Sequence, residues 1–172
     1  DGIRKYSQNW YRLDYFYRKF IYHTKASKQA TILNPLNKKM DQHYSNSFLL
    51  KVNNNFQQAM DSLDVWDPAP FMQQCSFFER VVNSYLEENT KIVVVISDAM
   101  RYEIGVELGE WINREDRFSA EVEVIVSMLP SYTQLGMAAL LPHQNLAITA
   151  DGSIQVDGVS TQGLDNRVKV LQ

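Results

Sequence analysis

The sequence predicts an α/β chain in which a helical N-terminal segment, residues 1–90, precedes the opening βαβα part of a parallel sheet, residues 91–172. Three observations carry this expectation. Before residue 90 apolar side chains recur at spacings of three and four; Ile92-Val93-Val94-Val95-Ile96 is an unbroken β-branched run; and Val122, Val124 and Val126 alternate with Glu121 and Glu123. The first pattern is that of an amphipathic helix, the second suits a central parallel strand covered on both faces, and the third a strand with one polar face.

Taken in order, Tyr6, Trp10, Leu13, Tyr17, Phe20, Ile21 and Thr24 place one stripe on a first helix, and Asn34-Pro35 is expected to break the pattern. Leu49, Val52, Phe56, Met60 and Leu63 mark a second helix. Asp64 to Pro70 reads as a linker, because each proline restricts its own backbone and that of the residue before it. Phe71, Cys75, Phe78, Val82 and Leu86 share one face of a third helix.

After the strand at 92–96, Ile104, Leu108, Trp111 and Ile112 lie on one face of the next helix. The second strand ends near Met128, and Pro130-Ser131 opens a helix over about 132–141. The segments 146–149 and 153–156 flank Ala150-Asp151-Gly152 as a short hairpin, and 158–172 reads as loop. Two parallel strands leave edges and faces unpaired, so the sheet is expected to be incomplete and the natural protein to continue past Gln172.

Bulk properties narrow the classes. The 172 residues are 45% hydrophobic and 22% charged, and the longest apolar runs fall far short of the roughly 20 residues of a membrane span. No membrane association is expected. One cysteine, Cys75, permits no internal disulfide, and the cytoplasm is the expected compartment. The net charge of −3 hides an asymmetry. Arg4, Lys5, Arg12, Arg18, Lys19, Lys25, Lys28, Lys38 and Lys39 face only Asp1 and Asp14 in the first forty positions. Arg12, Arg18, Lys19 and Lys25, interleaved with aromatics, are candidate nucleic-acid contacts, although a solvated helix face is the plainer reading.

Ligands of open α/β sheets bind at the carboxyl ends of strands. Asp98 follows the first strand at once, where a carboxylate can ligate a cation or cap the next helix; position alone does not choose. Thr133, in Leu129-Pro130-Ser131-Tyr132-Thr133-Gln134-Leu135-Gly136-Met137, falls in the first turn of the helix after the second strand. A threonine hydroxyl there could attack phosphorus, with helix amides holding the anion. On position alone the favoured reading is simpler: Ser131 caps the helix and Thr133 merely begins it.

The stretch from Val93 to Glu103, the stretch from Leu129 to Pro142, and Gly158-Val159-Ser160-Thr161-Gln162-Gly163-Leu164-Asp165-Asn166-Arg167 together resemble the PglZ proteins of BREX phage-defence systems. The resemblance is closest from Lys91 onward and looser over the aromatic first helix. It implies an alkaline-phosphatase-like sheet and hydrolysis of phosphoesters at two divalent metal ions, usually zinc. It also implies that Asp98 ligates one metal, that Thr133 is the nucleophile and touches the metals, and that Arg101 could steady phosphoryl charge or pair with Glu103. The further Asp and His ligands such a site needs are expected beyond residue 172, since His23, His43 and His143 read as structural or surface residues; this polypeptide by itself is expected to bind metal weakly and catalyse little. The expected partners are a phosphoester or nucleic-acid substrate and other phage-defence proteins. The competing reading is a non-catalytic binding or assembly module. A nucleotide-binding fold is disfavoured, because no glycine-rich phosphate loop follows the first strand.

Overall fold

Helix begins at Gly2 and runs with little interruption to Ala26: α1 (Gly2–Lys5), a wide π turn (Tyr6–Trp10) and α2 (Tyr11–Ala26). The computed structural model describes residues 1–172, the side chain of residue 30 excepted. A second helical run comprises α3 (Ala30–Gln42), a π turn (His43–Leu49) and α4 (Leu50–Asp61). Pro35 lies inside α3 rather than ending it. A proline there removes one backbone donor from the helix.

The chain folds as two compact units: Asp1–Asp67 with Ala99–Val122, and Pro68–Asp98 with Glu123–Gln172. The first unit is helical. In it α2 packs against α3 and against α6 (Tyr102–Ile112), the helix expected after Asp98. Tyr17 stacks on Tyr44 with ring centroids 3.7 Å apart, and the Tyr102 ring meets both Tyr6 and Tyr11. Gly109 of α6 lets Val122 approach closely: a Cβ added there would stand 2.7 Å from Val122 Cγ2.

The second unit corrects part of the sequence reading. The segment expected as a third helix is instead β1 (Met72–Gln73), a 3₁₀ turn (Gln74–Ser76), a π turn (Phe78–Val82) and α5 (Asn83–Glu87). β1 pairs in parallel with β2 (Ile125–Val126), Met72 opposite Ile125 and Gln73 opposite Val126. The run at 92–96, expected as a covered central strand, has no ladder partner among the described residues. Its exposure alternates, 86% at Val93, 43% at Val94, 85% at Val95 and 46% at Ile96. That two-residue period is the mark of extended backbone. The β-branched sequence sets the local conformation, whereas burial of a strand depends on the layers around it.

The core of this unit lies under α7 (Thr133–Ala139), where Leu135 and Ala138 meet Ile154 and Val156, with Met128, Leu146 and Val170 packed around them. β3 (Leu146–Ile148) and β4 (Ile154–Val156) form the expected antiparallel hairpin. A third strand, β5 (Val159–Ser160), and α8 (Leu164–Val170) occupy the segment read as loop. The link from β4 to β5 is Asp157-Gly158, with φ of +49° and +81°. Positive φ at both central residues is what a two-residue hairpin turn of the I′ type requires. The mixed helix-and-sheet composition agrees with an incomplete α/β fold. No helix of the described residues is long and apolar enough to cross a membrane.

Candidate active site

Thr133 is the first residue of α7, directly after Tyr132 in extended conformation (φ −133°, ψ 154°). No side chain caps this helix, so Ser131 is not the cap that position alone favoured. The hydroxyl-bearing turn is exposed, while one residue in from it the same helix is among the most buried parts of the chain, with Leu135 at the core and Ala138 and Ala139 fully enclosed. A side chain rooted on such an element is held more exactly than one on a free loop. The connection from β2 to α7 passes through a cis Leu129–Pro130 bond, and Tyr132 N–H donates to Pro130 O at 3.1 Å.

One side chain spans that connection. Gln74, immediately after β1, accepts from Met128 N–H at 3.1 Å through Oε1 and donates from Nε2 to Gly136 O at 3.2 Å. Sequence reading missed it, because its partners lie 54 and 62 positions away and no local pattern marks it.

Asp98 is exposed and belongs to the same unit as Thr133. The residue after it, Ala99, has φ of +57°, a left-handed conformation that a side chain with a Cβ adopts at a cost. Asp98 does not cap α6, whose N-cap is Arg101. Among the described residues no group of three or more His, Cys, Asp or Glu could hold a metal ion. His143 turns to its own backbone, Nδ1 lying 2.6 Å from Leu141 O.

Arg101 lies in the helical unit within a dense charge network. Its Nε is 3.2 Å from Glu103 Oε1 and its Nη2 is 3.3 Å from Asp14 Oδ2 and 3.3 Å from the Tyr44 hydroxyl. The Tyr44 bond first, then the two carboxylates, raise the guanidinium above its already high pKa. The pairing of Arg101 with Glu103, one of the two roles the resemblance left open for it, is present. Asp14, buried, also accepts from Tyr44 at 2.6 Å and from the Tyr6 hydroxyl. Burial, and then the Asp14 bond, push the Tyr6 phenol well above its usual range.

The four basic residues of α2 divide into two pairs. Arg18 Nη2 binds Glu107 Oε2 at 2.5 Å, and Lys19 binds the other oxygen of the same carboxylate. The Lys19 and Arg18 bonds lower the Glu107 pKa. Arg12 and Lys25 are exposed. The electrostatic demand that α2 makes is thus met in part within the chain itself.

Comparison with known proteins bears on the whole of this arrangement. Residues 77–172, which include Asp98, Thr133 and the core beneath α7, match the family described as the BREX system PglZ alkaline phosphatase-like domain. The alkaline phosphatase-like protein BrxZ of Escherichia coli O9:H4 (strain HS) is 36% identical over 98% of this chain and 21% of its own length. The alkaline phosphatase-like protein PglZ of Bacillus cereus (strain H3081.97) is 27% identical over 99% of this chain and 20% of its own. The chain therefore spans about a fifth of the length of the curated relatives it matches. No solved structure matches it significantly. With more than half of its residues inside the family match, the chain belongs to the BREX-associated, alkaline phosphatase-like PglZ family.

Proposed function

We propose that this chain is the nucleophile-bearing part of a phosphoester hydrolase of a bacterial phage-defence system, with Thr133 as the attacking residue. The observation that carries the reading is the placement of Thr133: an exposed, uncapped first helical residue on a helix whose other face is core, inside the family-matching region.

In this reading Thr133 Oγ attacks phosphorus in line with the leaving oxygen. The Oγ–P bond forms as the bond to the leaving group breaks, the hydroxyl proton passes to a base, and the departing oxygen takes up a proton. Water then attacks the same phosphorus, releasing phosphate and restoring the hydroxyl. The family reading adds two divalent ions, zinc by preference, with Asp98 and Thr133 among their ligands. Their chemistry would be the stabilisation of charge on the entering and leaving oxygens. Zinc takes about four ligands, and the described residues do not make such a set. Substrate, other defence proteins as partners, and a cytoplasmic location belong to the same proposal. The alternative, a binding module using α2 on nucleic acid, rests on exposed Arg12 and Lys25, Arg18 and Lys19 being taken up by Glu107.

The test is hydrolysis of p-nitrophenyl phosphate and bis-p-nitrophenyl phosphate by the full-length parent with added zinc or manganese. Loss of hydrolysis in Thr133→Ala with retention in Thr133→Ser supports the reading. Hydrolysis indifferent to Thr133→Ala refutes it.

A further inference from the structure

We infer that Gln74 is the positioning residue for Thr133. The inference rests on the reading of Thr133 as nucleophile and goes beyond it, because it assigns the geometry of that hydroxyl to a side chain of a different strand.

β1 and β2 pair through Gln73 and Val126, and there the backbone ladder ends. Gln74 continues it with its side chain: Oε1 takes the Met128 N–H at 3.1 Å, the donor on the approach to the 129–132 connection. The other end of the amide, Nε2, gives its hydrogen to Gly136 O at 3.2 Å. Gly136 lies within α7, so this bond reaches the helix that Thr133 opens. One rigid planar amide therefore fixes both ends of the segment that carries Thr133. The distance between strand end and helix is set by the amide rather than by the connection.

Position 136 supports this. A Cβ there would stand 3.3 Å from Gln74 Nε2, so the absence of a side chain gives the amide its approach. Within α7 the Gly136 N–H bonds Tyr132 O at 3.0 Å, which links the tethered residue back to the one preceding Thr133. Displacement of a reacting group by about 1 Å costs on the order of 100-fold in rate. A tether of this kind thus belongs to the rate of the chemical step more than to substrate affinity.

The experiment compares Gln74→Met, which removes both bonds, with Gln74→Glu, which keeps the acceptor for Met128 but in its ionised form offers Gly136 no donor. Two readouts are taken: amide hydrogen exchange across 128–140, and p-nitrophenyl phosphate hydrolysis by the full-length parent. The expected result for Gln74→Met is faster exchange at Met128 with the 146–156 hairpin unchanged, and a kcat lowered about 10- to 100-fold at nearly constant KM. Gln74→Glu should protect Met128 yet still lose kcat, and its kcat relative to wild type should recover toward acid pH as the carboxyl regains a proton to donate. If Gln74→Met leaves kcat unchanged while Thr133→Ala abolishes it, the positioning role is overturned and the nucleophile stands. If Thr133→Ala leaves hydrolysis intact, the nucleophile reading falls and the positioning role with it. Should Gln74→Met not fold, Gln74→Glu decides: an unchanged kcat across the pH range overturns the inference.

Discussion

Arg101 and Glu103 meet at 3.2 Å in the helical unit, where the Glu103 carboxylate has no exposed surface and neither of its oxygens has an aligned hydrogen-bond partner among the described residues. The contact is an ion pair without hydrogen-bond geometry, and Arg18 Nε faces the same oxygen from 3.8 Å. Removing one partner of a buried pair strands the other charge at about 3–5 kcal/mol. Because Arg101 is half exposed and Arg18 remains, Arg101→Met should cost about 2 kcal/mol. Glu103→Gln, which removes the buried charge itself, should cost less. Chemical denaturation of both variants tests the order; an equal or reversed cost would show that Glu103 does not depend on Arg101.

The left-handed Ala99 yields a prediction of opposite sign. Its φ of +57° is a conformation glycine adopts freely and alanine at about 1 kcal/mol. Ala99→Gly should therefore stabilise the protein, by less than that amount once the added freedom of the unfolded chain is subtracted. A lower denaturation midpoint for the glycine variant would contradict the strain assigned here.

Two glycines of α6 should respond oppositely to the same substitution. Gly105 has nothing within 4 Å of an added Cβ, so Gly105→Ala should gain up to about 1 kcal/mol from helix propensity. Gly109→Ala places its methyl 2.7 Å from Val122 Cγ2, a stiff β-branched group, and should lose about 1–3 kcal/mol to overpacking. Thermal melts of the two variants provide the check.

Titration gives an acid limb and an alkaline one. The Lys19 and Arg18 bonds hold the Glu107 carboxyl below its ordinary pKa. Its stabilisation is complete above the unfolded value, about 4.3, and is lost as pH falls through the lower folded value. Glu107→Gln should flatten that part of the stability profile. Tyr17 is pushed up to about 12, first by its bond to the Asp41 carboxylate. Its contribution is present below the unfolded phenol pKa, about 10, and declines as pH rises through the folded value. Asp41→Asn should move the Tyr17 phenolate transition toward neutral pH in an absorbance titration.

Local pattern carried much of this fold into the sequence. The stripe from Tyr6 to Thr24, the helix after Asp98, the helix opening at Thr133 and the hairpin about Asp151 all arise from spacing or turn chemistry within a few residues. Asp157-Gly158 between Val156 and Val159 was an equally local signal for β5. What spacing could not give was pairing. Met72 and Gln73 lie inside a segment whose stripe of Phe71, Cys75, Phe78, Val82 and Leu86 looked helical, and their partner strand is some fifty residues away. At the candidate site, the helix that begins at Thr133 was legible from the turn before it, whereas the Gln74 bridge exists only through tertiary contact; in the helical unit the same holds for the burial of Glu103.

The ion pair between Arg18 and Glu107 joins residues 89 positions apart. On a ribosome adding about 5–20 residues per second, α2 is made roughly 4–18 seconds before the acid that neutralises it. Through that interval the nascent chain carries a basic helix whose Asp14 has not yet met Arg101. The helical unit closes only when Ala99–Val122 has been synthesised, after the whole of Pro68–Asp98 has been threaded out between its two parts. Translation speed across that inserted stretch thereby sets how long α2 remains open to acidic competitors.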